Sequence, residues 1–302
     1  MDIIDKGILS DLTDNCRITY EELSRKHGIS ANAIRKRITR LEETKVISAY
    51  TVSLSTAMIG SEFVFAILST DGSRDEVEFV NEIGSNPWII AASSYTDGSY
   101  LLIGEYTSTD ELMAIATHLR SLDSVHHVEL HTILQSKGGI APLGNLHLRV
   151  LRCLLEDARM PIIDIANKTG LTARRVLEEI EASNSVHTSI LLELGAASSI
   201  PFVIWFTYDQ KKIGPRELEA WLEENYDLPL WQVFLSVAEP VAGGLFAVDT
   251  LTELDEIVRS IRKNDFIMTA KVSISTHHDY FEGPRSRKLR EMIEAASGKK
   301  VQ

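Results

Sequence analysis

The sequence predicts an α+β chain in which a three-helix segment followed by a βαββαβ segment occurs once and is then repeated. Three observations predict it. Apolar residues recur at helical spacing over the first 45 residues and switch to strand alternation after Gly60. The same switch recurs in the second half. The two halves also align at an offset of 142 residues, where Leu12, Arg17, Leu23, Gly28, Ile29, Ile34 and Ile38 match Leu154, Arg159, Ile165, Gly170, Leu171, Val176 and Ile180.

The first helix keeps Ile4, Ile8, Leu9 and Leu12 on one side and should end near Asp14-Asn15. In "TYEELSRKHG" a second helix opens on Thr19 with Glu22 three residues on, a capping box, and stops at Gly28, whose lack of a Cβ suits a left-handed cap. Ser30 caps a third helix with Ile34, Ile38 and Leu41 in one apolar stripe. At 100° per residue, Asn32, Lys36 and Arg40 fall opposite that stripe, with Arg35 and Arg37 on its flanks. This is a helix-turn-helix with a basic third helix. Asn32 and Lys36 can reach base edges in a major groove, and Arg35, Arg37 and Arg40 can meet phosphates. Ser30 and Ala33 complete the candidate DNA-binding set. "KVISAYTVSLS" then supplies a wing or a first linking strand.

Composition sets the frame for this reading. The 302 residues are 44% hydrophobic and 25% charged, with a formal net charge of -12. Residues 60–140 hold three Lys/Arg against twelve Asp/Glu, and residues 200–280 hold seven against thirteen, whereas residues 1–52 carry nine against eight. An acidic protein that binds a polyanion must concentrate its cations in this way. No apolar run nears the roughly 20 residues that cross a bilayer, and the amphipathic start "MDIIDKGILSDL" is no signal peptide, so the expected location is cytoplasmic. Cys16 and Cys153 lack metal-site spacing and read as two reduced thiols.

Residues 3–59 are similar to the N-terminal domain of the Lrp/AsnC (feast/famine) transcriptional regulators. The likeness lies in the first helix, the "D-x-R-x-(S/T)-(Y)-x-E-L" run around Arg17 to Leu23, "GIS" at Gly28 to Ser30, and "IRKRITRLE" at Ile34 to Glu42. Asn15-Cys16 replaces the usual Asp-Ala, and Lys45 replaces the glycine that normally ends the recognition helix. The resemblance implies a non-enzymatic regulator that binds double-stranded DNA as a homodimer and responds to a small-molecule effector.

After Gly60 come "EFVFAILST", "SRDEVEFVNEIGS", "PWIIAASSYT", "SYLLIGEYTS", "TDELMAIATHLRSL" and "VHHVELHTIL", in the order βαββαβ of a ferredoxin-like unit. Its first strand is apolar in both alternate sets, so both faces need cover, and the second βαββαβ, from "PFVIWFTYD" to "FIMTAKVSIST", is the expected second sheet. The segments expected are a DNA-binding helix-turn-helix at 1–59, a sensor and oligomerisation domain at 60–138, a degenerate helix-turn-helix at 144–197, a second βαββαβ domain at 198–280 and a basic tail at 281–302. The Gly/Pro-rich "SKGGIAPLGN" links the halves.

In the second helix-turn-helix, Leu177, Glu178, Glu179 and Ala182 stand where the first has Arg35, Lys36, Arg37 and Arg40. Two carboxylates facing phosphates repel, which favours a scaffold or dimerisation element over a second reader, although Arg174 and Arg175 remain at the helix start. In the resembling family an amino acid often binds at subunit interfaces near a Gly-x-x-Asp stretch between the second and third strands. Here Asp97 stands at the family's glycine and Ser99 at its aspartate, so the implied effector residues are Asp97, Gly98 and Ser99. An Asp-Gly turn is also ordinary hairpin chemistry.

His126, His127, His131, His277 and His278 are expected on solvent-facing strand ends, with metal or haem ligation as the alternative. No Gly-rich phosphate loop, nucleophile elbow or Ser/His/Asp set is present, so no catalytic residue, cofactor or metal ligand is assigned. The rival reading is an enzyme on the same tandem fold, resembling the sirohaem decarboxylases of haem biosynthesis. Such an enzyme needs a basic pocket for tetrapyrrole carboxylates and has no use for a basic recognition helix.

Overall fold

The computed structural model of the protein describes residues 1–133, 138–181, 184–197 and 199–296. The first half runs α1 (Ile3–Asp14), α2 (Tyr20–His27), α3 (Ala31–Glu43), β1 (Ile47–Leu54), α4 (Thr56–Ile59), β2 (Glu62–Thr70), α5 (Glu76–Gly84), β3 (Ile89–Tyr95), β4 (Ser99–Tyr106), α6 (Thr109–Ser121) and β5 (Val125–Ile133). The second half runs α7 (Asn145–Glu156), α8 (Ile162–Thr169), α9 (Ala173–Glu181), β6 (Val186–Leu192), β7 (Ile200–Tyr208), α10 (Pro215–Tyr226), β8 (Leu230–Leu235), β9 (Val241–Val248), α11 (Leu251–Arg262), β10 (Ile267–Tyr280) and α12 (Pro284–Ala296). Two compact units result, and each draws on both halves: one gathers Met1–Gly60, Ser136–Ala197 and Pro284–Gln302, the other Ser61–Gln135 and Ser198–Gly283.

The first unit holds both helix-turn-helix segments. The expected capping box of α2 forms, with the Thr19 side chain accepting from the Glu22 N–H and Glu22 answering at the Thr19 N–H, and Gly28 closes the helix at φ 68°. Gly170 repeats that left-handed stop at φ 68°. Ile8, Leu9, Leu12, Leu23, Ile34 and Ile38 are all buried, so the apolar stripes meet as the periodicity requires. Lys45, where the resembling family has glycine, adopts φ 63°. The left-handed turn is thus kept by a residue for which it costs about 1–2 kcal/mol, and Val46 and Ile47 enter the core directly behind it.

β1 is not a wing hairpin. It is followed at once by α4, so it has no return strand of its own, and it pairs antiparallel with β6 of the second half, Tyr50 opposite Ile190. The basic tail becomes α12, which lays Leu289 and Ile293 against β1 and α7, while Arg285 donates to Ser53 Oγ and to the Leu54 carbonyl.

The second unit contains both βαββαβ segments. They do not form two separate stacked sheets. β3 and β10 pair antiparallel, Tyr95 opposite Ser275, so that eight strands run in one sheet in the order β5-β2-β4-β3-β10-β7-β9-β8. A bridge joins Ile133, at the end of β5, to Ser236, just after β8, and Val237 N–H donates to the Thr132 carbonyl. One face of β2, Val64, Ala66 and Leu68, packs under α5 and α6 with Phe79, Val80, Ile83, Ile115 and Leu119. Its other face meets the second half: Phe65 is fully buried with Val203 and Phe234, its ring 5.0 Å from that of Trp205. The second cover expected for this strand therefore comes from within the chain.

Truncating Phe65 opens a cavity where both halves meet. Phe65→Ala should cost about 3–5 kcal/mol, read as a lower denaturant midpoint at unchanged slope. A loss below about 1 kcal/mol would contradict this packing.

Candidate nucleic-acid interface

α3 is built from the stop at Gly28 and the cap at Ser30, whose side chain accepts from the Ala33 N–H at 3.2 Å. These two residues therefore set the start of the helix. With Ile34, Ile38 and Leu41 anchored inward, Asn32, Arg35, Lys36 and Arg40 are exposed and Arg37 is half-buried. Asn32 and Lys36 make no hydrogen bond or ion pair among the described residues. They are the side chains the helix leaves open to an incoming partner.

The arginines are differently occupied. Arg37 Nη1 lies 2.7 Å from Asp2 Oδ2 and 2.7 Å from Asp5 Oδ1, and Arg40 Nη2 lies 2.5 Å from Asp5 Oδ2. The Asp5 side chain is 2% exposed, so it needs both cations. Asp5 also sits in the capping box of α1, with its N–H accepted by Asp2 at 2.9 Å. Arg37 thus ties α3 to the start of α1, whereas Arg40, 56% exposed, does the same while keeping donors outward. Arg35 lies over the Tyr20 ring at 5.2 Å. A helical wheel gives an azimuth but no partner, and so placed Arg37 among the phosphate contacts. Asp2 and Asp5 are the residues it missed; an acidic pair at the start of α1 was the available signal.

The matching face of the second segment is inverted. Glu179, expected to face phosphates, is instead buried, 2.8 Å from His147 Nδ1 and paired with Arg175. Glu178 stays exposed and pairs with Arg174 and Arg175, and Leu177 is an exposed apolar residue. Ala182, set against Arg40, lies outside the described residues.

Asp97, Gly98 and Ser99 make the turn of the β3–β4 hairpin: Gly98, at φ 74°, donates its N–H to the Tyr95 carbonyl. The Asp97 carboxylate accepts from Ser99 Oγ at 2.5 Å, Ser273 Oγ at 2.9 Å and Lys271 Nζ at 2.9 Å. Burial alone would raise this carboxyl, but the donors from Ser99, Lys271 and Ser273 outweigh it and hold it at about 2. His131 is not a solvent-facing strand residue. It is buried, stacked on Phe65 at 4.8 Å with Nδ1 3.1 Å from Ser236 Oγ, and burial holds it below the ordinary imidazole pKa. Among the described residues no group of three metal-ligating side chains gathers, and no helix is long and apolar enough to cross a membrane.

Residues 1–42 match the profile of the AsnC-type helix-turn-helix domain, and residues 144–180 that of a winged helix-turn-helix DNA-binding domain. An uncharacterized HTH-type transcriptional regulator of Pyrococcus furiosus is 25% identical over 137 residues, 45% of this chain and 92% of the relative. Regulatory protein AsnC of Escherichia coli is 25% identical over 160 residues, 50% of this chain and 96% of its own length. The crystal structure of the siroheme decarboxylase NirDL matches with a TM-score of 0.55 at 13% identity, over 97% of this chain and 99% of that one. At that identity the likeness is one of fold. Each regulator matches about half of this chain, as a tandem arrangement requires. The class is therefore that of DNA-binding transcriptional regulators with a helix-turn-helix. Within it, the first helix-turn-helix is similar to the AsnC type, and the helix-turn-helix and the βαββαβ unit are each present twice.

Two substitutions test this geometry. Arg37→Met leaves the buried Asp5 carboxylate with Arg40 alone and should destabilise the first unit by about 2–3 kcal/mol, read as a lower Tm. Asp97→Asn should cost about 2 kcal/mol at pH 7. The folded pKa lies below the ordinary 3.8, so this contribution is complete above about pH 4 and is lost as the pH falls through about 2. Denaturant titrations of both proteins at pH 7 and pH 3 should show the difference shrinking at the lower pH.

Proposed function

We propose that the protein reads double-stranded DNA through α3 of the first helix-turn-helix, with Asn32 and Lys36 at base edges and Arg35 and Arg40 toward phosphates. The observation that carries this is the contrast between the two recognition helices. α3 presents an unpaired Asn and Lys between exposed arginines, while α9 offers Leu177 and Glu178 where α3 has Arg35 and Lys36, a buried carboxylate where it has Arg37, and, at the place of Asn32, Arg174 ion-paired to Glu178. Ser30 and Ala33 act by fixing the helix start, and Arg37 by bracing the helix from within the domain.

One reader per chain favours a two-fold dimer of chains on a pseudo-palindromic site, with half-sites about 34 Å apart. An amino-acid effector at Asp97, Gly98 and Ser99 is the finer part of the reading. The carboxylate there is already engaged, so an effector amine binds only by displacing Lys271. The shared architecture with a siroheme decarboxylase supports the enzyme reading at the level of fold.

The test is selection from a random duplex pool at two salt concentrations, with an absorbance scan after addition of a tetrapyrrole. Wild type should enrich a palindromic site. Lys36→Ala should lose about 1–3 kcal/mol of discrimination at one or two base pairs while the salt slope changes little. Failure of any site to enrich, together with tetrapyrrole uptake, would transfer the chain to the enzyme reading.

A further inference from the structure

The two arginines related by the 142-residue offset do different things. Arg17 donates from Nη1 and Nη2 to the carbonyls of Ala158 and Met160, at 2.7 and 3.0 Å. Arg159 reaches the other way, into the first helix-turn-helix. Its guanidinium lies 5.1 Å from the centre of the Tyr20 ring and 5.4 Å from that of Tyr50, and Nη1 donates to Tyr50 Oη at 3.4 Å.

Both rings lead to the reading helix. Tyr20 also carries Arg35, on the middle of α3, at 5.2 Å. Tyr50 stands on β1, and its hydroxyl donates to Glu42 Oε1 at 2.6 Å, in the last turn of α3. Burial first, and this bond to Glu42 second, keep the phenol protonated well above its ordinary range, so the hydroxyl remains a donor. The arrangement exists on one side only. At the positions matching Tyr20 and Tyr50 the second half has Ile162 and Thr188, so the equivalent arginine has no ring to rest on and takes main-chain carbonyls instead.

We infer that Arg159 is a positioning residue for DNA reading: the second helix-turn-helix, whose own recognition face is inverted, sets the orientation of α3 in the first through Tyr20 and Tyr50. The inference deepens the proposed function and rests on it. A half-buried guanidinium between two aromatic faces is a directional contact, because its plane, charge and forked donors must all fit. Base-edge hydrogen bonds tolerate errors of only about half an ångström. A small tilt of α3 therefore costs specific contacts first. Phosphate contacts, made by long flexible side chains, suffer less.

The experiment compares full-length wild type with Arg159→Met, Arg159→Lys and Tyr50→Phe, each measured well below its own melting temperature. Dissociation constants are taken for the selected site and for random duplex at two salt concentrations. Arg159→Met should weaken the selected site about tenfold and leave random-duplex affinity and the salt slope unchanged, with Arg159→Lys recovering part of the loss and Tyr50→Phe losing less. A purely structural role would lower both affinities together, so an unchanged ratio of specific to random binding overturns the inference. Hydrogen exchange without DNA supplies a second arm. Amides between residues 35 and 41 should exchange several-fold faster in Arg159→Met, and equal protection overturns the brace. If wild type selects no site, the DNA reading itself has failed. If wild type selects a site that Arg159→Met binds equally well, only the positioning role has failed.

Discussion

Phe65 holds together what each βαββαβ unit leaves unfinished. A strand that is apolar on both sides cannot face water on either, and the helices of its own unit can cover only one side. The second cover is the stack of Phe65 with Trp205, closed by Val203 and Phe234. That stack has a requirement of its own. A Cβ at Gly243 would lie 2.2 Å from the Trp205 ring, so the neighbouring strand must carry glycine there for the indole to lie flat. Trp205 pairs with Gly243 as Ile67 pairs with Leu101, so Trp205 stands at the position matching Ile67 and Gly243 at that matching Leu101. The contact is thus made by unlike residues in the two halves, which is available to a fused pair and not to two copies of one sequence.

The same freedom appears among the helices. At one buried place in each helix-turn-helix, the third helix meets the first through a pair of polar side chains. In the first segment the tie is Arg37 to Asp5; in the second, Glu179 to His147. His147 matches Asp5 and Glu179 matches Arg37, so the contact is retained with the carboxylate moved to the third helix, where Arg175 of that same helix supplies the cation. Burial demands compensation and is indifferent to which helix carries which charge. What the exchange alters is the outer surface: in the first segment Arg35 and Lys36 stay outward, whereas in the second Arg175 is drawn to Glu178 and Glu179.

Much of this was legible in the residues. Thr19 with Glu22, Gly28 and Ser30 marked three helix boundaries because caps are local chemistry, and the offset of 142 disclosed the duplication because packing positions recur. Pairings across the duplication were not legible. Nothing local to "KVISAYTVSLS" says that its partner is β6, and nothing in "SYTDGSY" says that Lys271 and Ser273 will occupy the Asp97 carboxylate. The buried state of His131 was hidden for the same reason, since its neighbours Phe65 and Ser236 lie 66 and 105 residues away in sequence. Arg37 is of another kind: a helical wheel gives its azimuth, but its partners Asp2 and Asp5 come from the start of α1.

The brace also bears on why the proposed reader should work in pairs. Once Arg37 is spent on Asp2 and Asp5, and Arg40 is shared with Asp5, the cations fully available along this face are few: Lys36, Arg35 above Tyr20, and the exposed Arg25 at the end of α2. Three or four phosphates per chain give a salt slope of about 3, the footing of a weak, largely nonspecific binder. The chain carries a net charge of -12, and its acidic segments oppose approach to a polyanion. Doubling the reader doubles the phosphate term and adds the base contacts of a second half-site without adding a new surface. On the proposed reading, a chain whose second helix-turn-helix offers no reading face would gain a second reader by pairing with a copy of itself.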